Sequence, residues 1–130
     1  MAPNLGIMML CIFMLGIGGV ASWPWDKGSV TINNRLTVNL KVFCHSAEDD
    51  LAVQMMTPSS VYKFSFRQDI FGRTLFTCDF NAVGYGYAGI KVWEGFDYSS
   101  RRCVCTRCTW DVTGGGFGCN GKLIYAWSPA

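Results

Sequence analysis

Cys44 and His45 stand side by side in the sequence, and a thiol beside an imidazole is the minimal pair for nucleophilic catalysis. Cys103-x-Cys105-x-x-Cys108, with Cys119 beyond it, has the composition of a four-thiolate zinc site. Glu48-Asp49-Asp50 offers hard oxygen ligands for calcium, or a charged loop for a partner. Arg101, Arg102 and Arg107 form one basic cluster among the cysteines. Their forked donors suit an acidic receptor loop or a cell-surface polyanion, and a solvated rim is the plainer alternative.

The elements that must carry these residues decide between the chemistries. Leu36, Val38, Leu40, Val42 and Cys44 share one parity, and Thr37, Asn39, Lys41, Phe43 and His45 the other. That alternation is a half-buried strand with Cys44 on its core side. Adjacent side chains on a strand point to opposite faces, so Cys44 and His45 cannot form a direct catalytic pair. Three neighbouring carboxylates fall short of the six or more oxygens calcium prefers, so residues 48–50 read as a solvated loop or a recognition surface. No catalytic group, metal or cofactor is expected.

Whether the later cysteines hold zinc or each other depends on compartment. Residues 5–21 carry no charge and end in Gly19-Val20-Ala21, with small residues where signal peptidase requires them. The reading is a signal peptide over residues 1–21 and one domain over residues 22–130; the rival is an uncleaved N-terminal anchor. Cys11 leaves with the leader. Cys44, Cys78, Cys103, Cys105, Cys108 and Cys119 remain, an even set that reads as up to three disulfides in an exported chain. Spacing alone leaves fifteen pairings open. No Asn-x-Ser/Thr sequon occurs, so N-glycosylation is not expected.

The rest of the chain is patterned for strands. Val30 and Ile32 alternate with polar residues up to a turn signal at Asn33-Asn34. Tyr62, Phe64 and Phe66 alternate with Lys63, Ser65 and Arg67, and Phe76, Cys78 and Phe80 share a side. Residues 84–89 read as a flexible aromatic segment before a strand from Ile90, and residues 114–118 as a hairpin turn. Tyr85, Tyr87, Trp93, Phe96 and Tyr98 are mostly core, with a glycine-rich start suited to an exposed loop. The sum is an all-β, disulfide-stabilised, two-sheet sandwich of about seven or eight short strands. Hydrophobic residues at 50% suffice for its core, and a net charge of +2 gives no general case for nucleic acid or anionic membrane.

Four stretches in order resemble the plant self-incompatibility S-protein family, whose best-known members are the stigmatic proteins of poppy. Val30-Thr31-Ile32-Asn33-Asn34 is similar to the family's opening strand. Val42-Phe43-Cys44-His45-Ser46-Ala47-Glu48-Asp49-Asp50-Leu51 resembles its cysteine strand and acidic loop. Residues 62–67 and 71–78 resemble its Phe-x-Phe and Thr-x-Phe-x-Cys strands, and Cys105-Thr106-Arg107-Cys108-Thr109-Trp110 its Cys-x-x-Cys-x-Trp element. The resemblance implies a small extracellular sandwich without known enzymatic activity. In poppy the stigmatic protein is a ligand for a pollen membrane protein, and it triggers calcium influx and arrest of incompatible pollen tubes.

For this chain the resemblance implies a secreted recognition or signalling protein whose partner is a membrane receptor on a target cell. The single histidine speaks against the other plant self-incompatibility type, a secreted ribonuclease that works with two. A defence or toxin-like protein acting on membranes is the alternative class, disfavoured by modest charge and the lack of an amphipathic helix. Many family members have cysteines at the positions of Cys44, Cys78, Cys105 and Cys108. Others add one at Cys119 and one near the C-terminus, where this chain has Ile124. The resemblance therefore implies that Cys103 pairs with Cys119 in place of the missing partner, and that the other four form two strand-to-strand bridges.

Overall fold

A computed structural model describes residues 27–69, 71–95 and 102–128. The leader assigned to residues 1–21 lies outside them, as do Phe96, Tyr98 and Arg101. Nine strands are present among the described residues: β1 (Lys27–Asn34), β2 (Leu40–His45), β3 (Gln54–Met56), β4 (Val61–Arg67), β5 (Leu75–Ala82), β6 (Gly86–Glu94), β7 (Arg107–Thr113), β8 (Gly116–Cys119) and β9 (Lys122–Tyr125). They form a five-stranded sheet in the order β4-β1-β7-β8-β9 and a four-stranded sheet in the order β3-β2-β5-β6. Neighbours run antiparallel except β1 and β7, which are parallel and are separated in sequence by the whole second sheet.

The alternation expected from sequence is what closes the core. Val30, Ile32, Leu40, Val42, Val112 and Trp110 are fully buried. Aromatic rings join the sheets: Phe66 packs 4.5 Å from Phe76 and edge-on to Trp93 at 5.0 Å, and Phe80 lies 4.9 Å from Phe117. A buried Trp needs a hydrogen-bond acceptor for its indole N–H. Trp110 finds it across the core, donating to the Val92 carbonyl at 2.9 Å.

Three local expectations differ from what forms. Asn33-Asn34 does not turn; both residues stay in β1, and Asn34 is buried at 1% exposure. Its side-chain amide donates to the carbonyls of Val38, Met56 and Thr57, each at 3.1 Å, while its oxygen accepts the Leu36 N–H at 3.0 Å. This one side chain bends residues 35–38 around itself, which is why β2 starts at Leu40 and not at Leu36. Residues 84–89 are mostly strand, since β6 begins at Gly86 and pairs with β5 from there.

The third difference lies at the glycine run, which folds as a short turn followed by β8 and raises the strand count to nine. Gly116 has φ 136°, and a Cβ there would collide with the Tyr125 carbonyl. Glycine is required so that the β9 backbone can approach.

Candidate functional site

Cys44, Cys78, Cys103, Cys105, Cys108 and Cys119 are all bridged. Cys44 and Cys78 are register partners on β2 and β5, both fully buried, and bond to each other across the core face. Cys103 pairs with Cys119, as the resemblance implied. Cys105 pairs with Cys108, which corrects the expectation of a second strand-to-strand bridge. Cys105 lies before β7 and Cys108 within it, and the chain between them brings their Cα atoms to 5.3 Å, inside bridging range.

The sulfurs of this region do gather as a zinc site would need. Cys105 Sγ is 3.6 Å from Cys103 Sγ and 3.9 Å from Cys119 Sγ. Each is already bonded within a disulfide, so the thiolates that zinc binds are consumed. The same holds for catalysis at Cys44. His45 points to the other side of β2, where its Nε2 lies 3.3 Å from Asp79 and its ring stacks on Phe43 at 5.2 Å.

The arrangement of greatest interest is the loop that leaves β2. Ser46 Oγ accepts the N–H groups of Glu48 (3.3 Å) and Asp49 (3.1 Å), and the Ser46 N–H donates to the Asp49 carbonyl at 2.7 Å. The Leu51 N–H then returns to the Cys44 carbonyl at 2.9 Å. A serine closing its own turn in this way fixes the backbone without a helix or sheet. Glu48, Asp49 and Asp50 are all exposed on it. The acidic loop is thus a rigid projection, anchored one residue past the buried Cys44–Cys78 bridge.

It forms one wall of an open groove of roughly 1070 Å³ whose other wall is the end of β4 and the β4–β5 loop, with Arg67, Asp69 and Arg73. That second loop is held as firmly. The Asp69 N–H donates to Thr74 Oγ1 at 2.7 Å, Gly72 N–H donates to the Asp69 carbonyl at 2.9 Å, and Arg73 Nε donates to Asp69 Oδ2 at 2.6 Å. The Arg73 guanidinium also covers the exposed Phe71 ring at 5.0 Å. Its hydrogen bond holds the Asp69 carboxyl below the usual carboxylate range.

Burial raises the Tyr62 and Tyr125 hydroxyls, carrying both further from the neutral range in which proton transfer is efficient. What the two walls offer is fixed charge of both signs beside an exposed aromatic ring, which is recognition chemistry. Sequence reasoning singled out the acidic wall. It missed the loop at residues 69–74, although Asp69 and Gly72 are ordinary turn signals.

Of the basic cluster, Arg102 and Arg107 are described. Arg102 folds back, its Nη2 donating to the Ile124 carbonyl at 3.0 Å and its guanidinium lying 4.9 Å over the Tyr125 ring. Arg107 stands exposed at the start of β7, and Arg101 lies outside the described residues. Of the aromatic segment, Trp93 is core, Tyr85 packs 5.9 Å from Trp127, and Tyr87 is half exposed on a strand.

Residues 29–127 match the sequence model of the family described as plant self-incompatibility protein S1. The chain is similar to S-protein homolog 3 of Arabidopsis thaliana, 33% identical over 94 residues that cover 71% of this chain and 62% of the relative. It is similar also to S-protein homolog 4 of the same plant, 35% identical over 103 residues covering 73% and 64%. With S-protein homolog 5 the identity is 25% over 112 residues, covering 82% and 84%. The chain thus spans a little under two thirds of the length of the first two relatives. No solved structure matches it.

Proposed function

Because this chain belongs to the plant self-incompatibility protein S1 family, we propose that it is a secreted, non-enzymatic ligand recognised by a membrane receptor on a target cell through the loops at one end of its sandwich. The observation that carries this reading is the acidic loop: three exposed carboxylates beside a turn that Ser46 closes, of which Glu48 and Asp49 border an open groove. A rigid loop loses little entropy on binding, so its charges can select a complementary surface at small cost. Bridged cysteines and a closed aromatic core tie up the interior, and loops held on such a scaffold commonly carry recognition.

The test is binding of the folded, oxidised protein to intact plant cells. Binding is expected to saturate, to disappear when cell-surface proteins are digested, and to weaken about tenfold when Glu48→Gln, Asp49→Asn and Asp50→Asn are combined. Leakage of protein-free liposomes at the same concentrations, or binding indifferent to protease, contradicts the reading and supports action on the membrane itself.

A further inference from the structure

The outer side of the five-stranded sheet carries a second surface, which shares only Arg67 with the wall of the groove. Val30 and Ile32, Phe64 and Phe66, and Cys108 and Trp110 point inward, so the residues of opposite parity on β1, β4 and β7 point out. The strand register arranges them in rows. Arg67 lies opposite Lys27; Ser65, Ser29 and Arg107 form the next row; Lys63, Thr31 and Thr109 form the third. Neighbours within a row are about 4.8 Å apart and successive rows about 7 Å apart. Four exposed cations therefore share one face, with the exposed Ser65 and the half-buried Thr31 and Thr109 hydroxyls between them and Ser29 buried at its centre.

Among the described residues, none of the four takes part in a salt bridge. The three salt bridges among the described residues belong to Arg35, His45 and Arg73. The one acid on the outer side of these three strands, Asp111, sits in the row beyond Lys63 and is already engaged by Arg35 at 3.1 Å and by Asn33 at 3.0 Å. We propose that this face, formed by Lys27, Lys63, Arg67 and Arg107, binds an acidic polysaccharide that bears carboxylates on successive sugars.

The composition of the face favours such a chain over other polyanions. It has no aromatic residue, and its one large aliphatic side chain, Val61, lies at its far corner. Protein interfaces centre on aromatic and aliphatic anchors and are depleted in Lys and Ser, so a folded partner finds no anchor here. A single-stranded nucleic acid finds no ring on which to stack a base. An extended anionic sugar chain needs only what is present: separated cations at strand spacing, arginine forks for carboxylates, and hydroxyls for ring oxygens.

Retention of the folded, oxidised protein on de-esterified polygalacturonate, with the fully methyl-esterified polymer and polyglutamate as comparisons, tests the proposal. The de-esterified polymer is expected to bind, more weakly as salt is raised, and the neutral polymer is not. Lys63→Gln with Arg67→Gln is expected to lower affinity roughly tenfold, about threefold per cation, whereas Lys91→Gln on the other sheet changes it little. These side chains are exposed, and unchanged circular dichroism of each variant confirms its fold. Equal retention on the esterified polymer, no retention on either, tighter binding to polyglutamate, or an equal loss with Lys91→Gln overturns the assignment. The polymer comparison uses the unaltered protein, so it decides even where a variant misfolds.

Discussion

Asn34 carries more of this structure than its type suggests. Its amide satisfies three carbonyls from two different segments and one N–H, all at a position with 1% exposure. Asn34→Ala takes this partner from the Val38 and Met56 carbonyls and from the buried Leu36 N–H, while the Thr57 carbonyl keeps Ser60, and the expected cost is about 3 kcal/mol in a denaturant unfolding experiment. A cost under about 1 kcal/mol contradicts the role given to it. Asp69 makes a smaller and pH-dependent contribution. Its folded carboxyl is held below its ordinary value, chiefly by the hydrogen bond from Arg73. The stabilisation is therefore whole above the unfolded carboxylate range and is lost as pH falls through the depressed folded value. Carboxyl NMR titration should find the Asp69 midpoint lowered, and restored towards the ordinary range in Arg73→Gln. An unchanged midpoint in that variant removes the explanation for the loop.

The bridges divide the strands into a sealed part and an accessible part. Cys44–Cys78 closes 34 residues between β2 and β5 and is fully buried, and chain entropy assigns it about 4 kcal/mol. Cys105–Cys108 closes a separation of only 3 and is worth about 1.6 kcal/mol on the same basis. Under a monothiol such as glutathione, alkylation and peptide mapping should label cysteines of the Cys105–Cys108 and Cys103–Cys119 bridges before Cys44 or Cys78. A freed Cys105 thiolate, 3.6 Å from Cys103, can form a Cys103–Cys105 bond and release the Cys119 thiolate. Early labelling of Cys44 contradicts this order. At this scale the sequence was a good guide wherever packing repeats with period two, as in Val42 and Cys44 or Phe64 and Phe66. It failed where one residue overrides a pattern. Asn33-Asn34 reads as a turn because nothing local shows that Asn34 will be buried against residues 38, 56 and 57. The run Gly114-Gly115-Gly116 reads as a turn because the approach of β9 is a long-range fact.

At the scale of the molecule, the described residues of the two sheets present an acidic loop over a groove, a cationic sheet face that shares Arg67 with that groove, and a mixed face with Tyr87, Lys91 and Asp79. Only the first was legible from the sequence, since Glu48, Asp49 and Asp50 are consecutive. The cationic face draws Lys27, Lys63, Arg67 and Arg107 from three strands, and parallel pairing of β1 with β7 brings the last of them in. No spacing in the chain announces it. Of the basic cluster that spacing did announce, Arg102 lies over the Tyr125 ring, a contact that no spacing in the chain foretells. Recognition through one end of the sandwich remains the claim on which the functional account turns. A photoreactive residue at exposed Ala47 addresses it directly, with a second at Val83, which the β2–β5 register puts at the opposite end. The account predicts that, on plant cells, the probe at Ala47 captures a discrete membrane protein and the probe at Val83 does not. Capture at Val83 alone, or no protein adduct at Ala47 under saturating binding, contradicts it.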